Sequence, residues 1–210
     1  MNSYHNDIMI LQAWFSPAFP TGAFSYSHGL EAAIQHGLVS DKQSLTEWIS
    51  CLLTDGSGWN DGLFLKAAYE GVNDVNGLCI ALCSCKERYQ ETIELGKSFT
   101  RAVNESYGVE LEPGLAYPVA VGTAARRRNI DLKLTTQSYL QAFAASLISV
   151  GVRIIPIGQQ AGQDCLVTLC TIIEEANNKL DAAGLDQLGN ASFISEILSM
   201  MHEKSNPRIY

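Results

Sequence analysis

Charge, histidine and proline are scarce in this chain, and no hydrophobic run is long. Asp, Glu, Lys and Arg make up 17% of the 210 residues, below the usual quarter. A membrane-spanning helix needs roughly 18 or more apolar residues in succession. The best candidate, 142–152, is interrupted by Ser146 and Ser149 and closed by Arg153. The opening Met1–Asp7 is polar and lacks the basic-then-apolar order of a secretion leader. A soluble, cytoplasmic protein is therefore expected. Catalytic signatures are missing as well. There is no GxxxxGK[ST] or GxGxxG turn for phosphates, no GxSxG elbow and no HExxH pair. The four histidines, His5, His28, His36 and His202, are scattered.

What charge there is runs acidic. Twenty-two Asp and Glu against 14 Lys and Arg give a net charge of -8, which nucleic acid phosphates would repel. The one basic cluster, Arg126-Arg127-Arg128, reads as a helix end, where cations complement the macrodipole and Asn129 can stop the helix. Six cysteines are present. Cys79, Cys83 and Cys85 form a C-x3-C-x-C cluster, but no second CxxC or His pair follows at zinc spacing. Cys79 and Cys83 lie a helical turn apart in an apolar stretch and read as buried thiols.

Hydrophobic periodicity is helical nearly throughout. Leu140, Phe143, Ala144, Leu147, Ile148, Gly151 and Ile155 follow the spacing of one buried helix face. This predicts a helix over 139–155, capped by Thr135 or Thr136 and stopped by Pro156. Further helices are expected from Ser40 to about Leu53, with Gln43 completing a capping box and Gly56 and Gly58 marking the exit. Others fall at about 26–35 (ending before Gly37), 63–69, 86–107, 117–128, 162–180 and 193–202. Alternating strand patterns are nearly absent. The fold expected is all-α, one domain over 1–210, a bundle of about eight to ten helices given usual helix lengths.

Two segments carry more than punctuation. Residues 16–31, SPAFPTGAFSYSHGLE, pack two prolines, aromatics and hydroxyls into a short path between apolar helices. Residues 155–163, IPIGQQAGQ, place three glutamines where one helix breaks and another begins, suited to amide hydrogen bonding. Ser25, His28 and Glu31, three apart on one helix face, define a hydrolase alternative. Helix capping explains them as well, and a nucleophile and its base usually converge from separate elements.

These segments resemble the urease accessory family UreF. Ile10-Leu11-Gln12 with 16–31 is similar to its opening motif, 156–163 to its P-[LI]-[GS]-Q-x-x-G-Q motif, and 201–210 to its closing H-E-x-x-x-x-R-[LI]-[FY]. The resemblance implies an all-helical, non-catalytic scaffold, a chaperone of urease maturation. Such a protein pairs with a UreD-type (UreH) protein, recruits the UreG-type GTPase and docks on urease apoprotein. It also implies homodimerisation, with nickel as cargo rather than a stoichiometric cofactor, and a tail, 203–210, that is mobile without its partner. Partner-binding positions carried over are Phe24, Ser25, His28, Glu31, Gln159, Gln163, Glu203, Arg208 and Tyr210. Phe24 stands where some members have tyrosine. An adaptor for another protein complex is the remaining alternative.

Overall fold

A computed structural model describes residues 2–21 and 27–189. They form nine α-helices and a short 3-10 turn: α1 Asn2–Trp14, α2 Leu30–Gln35, α3 Lys42–Asp55, α4 Ser57–Glu70, α5 Val75–Ala81, α6 Lys86–Tyr107, α7 Tyr117–Arg127, α8 Leu132–Ile154, α9 Gly158–Ala182, and the turn Leu185–Gln187. No strand occurs among the described residues. The all-α expectation holds. The expected helix over 193–202 and the tail 203–210 lie outside the described residues.

α4 is the axle. It touches α3, α5, α7, α8 and α9, and it buries Trp59, Asp61, Leu63, Phe64, Leu65, Ala67 and Ala68. A helix buried on most of its circumference shows no amphipathic stripe. Hence periodicity marks only 63–69 as helical, and Gly58, expected at the exit of the preceding helix, lies within α4. Gly58 and Gly62 instead sit inside the helix, where a Cβ would meet the Leu52 carbonyl and the Leu180 side chain. α7 lies flush on α4 because Gly122 faces the Leu65 carbonyl, with no room for a methyl group between. Gly122→Ala should cost about 3 kcal/mol by forcing the two backbones apart, read as a lower urea midpoint with unchanged slope.

Several boundaries move. α3 is capped by Asp41, not Ser40: its carboxylate accepts from the Ser44 amide at 2.8 Å, and the Ser44 hydroxyl accepts from the Asp41 amide in return. α8 begins at Leu132 under an Asp131 cap. Thr135 and Thr136, expected as caps, lie within it and return their hydroxyls to the Asp131 and Leu132 carbonyls. Ile154 ends α8 ahead of Pro156 as expected, whereas α9 starts at Gly158 rather than Gly162. α2 starts at Leu30, not residue 26, because His28 and Gly29 are both left-handed (φ 49° and 78°). α1 went unmarked in the sequence. The Arg126–Arg128 cluster does close α7, and Asn129 takes the left-handed stop. Cys79 is buried in a small second core with Phe64, Val75 and Val119. Cys83 falls beyond the end of α5 and is only half-buried.

Candidate functional site

Pro17 and Pro20 fix the path of the chain after α1. Ser16 accepts from the Ala18 amide with its hydroxyl and from the Phe19 amide with its carbonyl, so the loop folds back on itself. Its aromatics clamp it down. Phe15 meets Tyr139 edge-on at 6.0 Å, Phe19 lies 5.7 Å from Phe99, and Trp14 sits against Phe99 and Tyr107. Geometries of this kind add about 1 kcal/mol each beyond burial.

Beneath the loop is a cavity of about 660 Å³, within the size range of ligand pockets. Its wall is aromatic and its floor ionic. Arg88, in the first turn of α6, reaches Asp61 on α4 and Glu91 on its own helix, both at 2.5 Å. The second oxygen of Asp61 accepts from the Tyr139 hydroxyl at 2.8 Å. Glu91 meets His28 Nε2 at 3.3 Å, and His28 Nδ1 shares a 3.0 Å hydrogen bond with the Ser57 hydroxyl. The His28 ring rests on Phe143, 4.7 Å between centroids. One hydrogen-bonded chain, Tyr139–Asp61–Arg88–Glu91–His28–Ser57, therefore ties α8, α4, α6 and the entry to α2.

Buried charges persist only when paired, and the proton equilibria follow. Burial alone would raise the Glu91 carboxyl, but His28 and then Arg88 overcome it and bring it down to about 2. Burial would likewise lower Arg88, yet Asp61 and Glu91 hold its guanidinium well above its ordinary value. Burial, reinforced by Asp61, pushes the phenols of Tyr139 and Tyr117 up, so both stay protonated. Tyr139→Phe strands one Asp61 oxygen and should cost about 1–3 kcal/mol, measurable by urea unfolding.

Of the residues expected at a site, only His28 belongs to this cluster. Its Nδ1 is engaged by Ser57 and its Nε2 by Glu91. The actual Ser57–His28–Glu91 order superficially suits nucleophilic chemistry, but Ser57 does not line the cavity. Glu31 is 3% exposed on α2. Gln159 and Gln163 are exposed and, with Val167 (71% exposed) and Cys170, form one outward stripe of α9. Phe24, Ser25, Glu203, Arg208 and Tyr210 lie outside the described residues. Asp61, Arg88 and Glu91 were missed. The available signal was an acid at 61 embedded in Trp59–Leu65, since such an acid requires a partner. Among the described residues no three or more His, Cys, Asp or Glu converge to hold a metal ion, and no helix is long and apolar enough to cross a membrane.

The UreF family model matches residues 39–170. The chain belongs to the UreF family. The urease accessory protein UreF of Roseobacter denitrificans is 38% identical over 206 residues, covering 96% of this chain and 92% of its own length. That of Ruegeria pomeroyi is 37% identical over 97% and 95%. The urease accessory protein UreF 1 of Brucella anthropi is 35% identical over 97% and 93%. In this UreF-family chain residues 16–21 and His28 of the opening motif line the cavity, and the second motif starts α9.

Proposed function

We propose that this chain is a non-enzymatic accessory protein of urease maturation, working in the cytoplasm as a scaffold and, in its working form, as a homodimer. With a UreD/UreH-type protein it recruits the UreG-type GTPase and supports GTP-dependent nickel insertion into urease apoprotein. Nickel is the cargo of the complex and has no resident site here. The observation that carries this reading is near full-length similarity to proteins named urease accessory protein UreF. Two features of the chain agree with it. Its buried charges are paired with one another, as in a structural keystone. Its net charge of -8 favours encounter with basic protein surfaces.

Docking falls to the exposed stripe Gln159–Gln163–Val167 and to Phe24, Ser25, Glu203, Arg208 and Tyr210. The test is co-purification with the UreD-type partner, scored for recruitment of the UreG-type GTPase. A ternary complex should form with the full chain and weaken at least about tenfold, some 1.4 kcal/mol, on Arg208→Ala or Val167→Asp. If no binary complex forms with the full chain, the scaffold reading fails.

A further inference from the structure

The cavity beneath the loop holds a surplus of hydrogen-bond donors that the scaffold reading does not use. α8 lends it Ala142, Ala145, Ser146 and Ser149, positions that share one helix face, and these small side chains leave space. Ala145, Ser149 and the loop residues Pro17, Ala18 and Pro20 line the cavity and are exposed. It therefore opens to the surface between the loop and α8. Phe15, Phe19 and Phe143 supply apolar wall.

The polar groups fall into two unequal sets. All four carboxylate oxygens are engaged: those of Asp61 by Arg88 and Tyr139, those of Glu91 by Arg88 and His28. The Ser16 and Thr92 hydroxyls accept from the Ala18 and Tyr117 amides. The donors are less well served. A guanidinium carries five N–H groups, and Arg88 commits two of them, to Asp61 and Glu91. Tyr117 lines the cavity, and its hydroxyl has no hydrogen-bond partner among the described residues. Burial, reinforced by Asp61 and Glu91, keeps that phenol protonated and so a donor. Trp14, in the same wall, has an indole N–H buried with no acceptor. Buried donors without acceptors are costly, so the fitting occupant brings acceptors. It is also uncharged. Two carboxylates against one guanidinium leave the floor one negative charge with His28 neutral and none with it protonated, which attracts no anion. A cation would find every carboxylate oxygen already taken.

We propose that this cavity binds an uncharged ligand that joins an aromatic ring to a carbonyl. The ring lies on Phe15, Phe19 and Phe143, and the carbonyl accepts from Tyr117 and Arg88. An aromatic amide has this chemistry, either as a free compound or as a residue of a partner chain. The assignment goes beyond the scaffold reading and does not depend on it.

The probe is N-acetyl-phenylalaninamide, titrated calorimetrically into the full chain, where a single equivalent should bind. N-acetyl-phenylalanine, an anion with the same ring, and phenylalaninamide, its cationic counterpart, should each bind at least about tenfold more weakly, because burying an unpaired charge is costly. Tyr117→Phe keeps the ring that packs on Phe99 and Tyr139. Its urea midpoint should be unchanged and its probe affinity about fivefold lower, the effect of one hydrogen bond. In indole N–H spectra the Trp14 signal should shift on binding, while that of Trp48, which does not line the cavity, should stay. Repeating the titration on the chain saturated with its UreD-type partner separates the two sources. Retained affinity assigns the site to a free compound, and lost affinity assigns it to a partner residue. No binding at millimolar probe would mean that water suffices for these donors and would overturn the proposal. Equal affinity for either charged analogue, or undiminished affinity in Tyr117→Phe, would overturn it as well.

Discussion

Replacing Arg88 with methionine should destabilise the protein by about 3–5 kcal/mol, the cost of leaving buried carboxylates without their cation. Asp61 and Glu91 share this one guanidinium, and both are nearly inaccessible to water (3% and 6% exposed). Methionine restores much of the volume but none of the charge. Equilibrium urea unfolding would read the loss as a lower midpoint. Arg88→Lys should recover only part of it, because a single ammonium cannot present two N–H groups to two carboxylates in a fixed fork. A midpoint unchanged in Arg88→Met would mean that the chain from Tyr139 to Ser57 contributes nothing to the fold.

Acid should unfold the protein through Glu91. Its carboxyl is held at about 2 in the folded state, against 4.5 as the ordinary value. A folded value below the unfolded one gives stability that is complete above about pH 4.5 and disappears as pH falls towards 2. The depression corresponds to a contribution on the order of 3 kcal/mol. Glu91→Gln should be less stable than the parent near neutral pH, and its stability should vary less between pH 4.5 and 2. Parallel pH profiles for the two proteins would place the acid-sensitive groups elsewhere.

Where local chemistry decides an element, the sequence was legible. α6 ends at Tyr107 because Gly108 accepts the left-handed stop, and α8 ends before Pro156 because proline cannot continue it. Where burial decides, it was not. α4 has apolar residues around most of its girth and glycines at 58 and 62, so neither periodicity nor propensity marked its first half. The site divided in the same way. His28 stood out among the aromatics and prolines of the opening motif, but nothing in its local spacing pointed to Ser57 and Glu91. Its partners Ser57 and Glu91 lie 29 and 63 positions away, brought together only by tertiary folding, with α7 packed on both α4 and α6. Long-range ion pairs leave no local spacing to read. The Cys cluster shows the reverse error: helical spacing placed Cys83 in the core with Cys79, whereas α5 stops at Ala81.

Urease activation in a reconstituted system addresses the central claim most directly. Urease apoprotein, the UreD-type protein, the UreG-type GTPase, GTP and nickel would be combined with and without this chain, and urease activity followed. Activation should depend on the chain, and the chain should carry no hydrolytic activity alone. Equal activation in its absence would contradict the scaffold role.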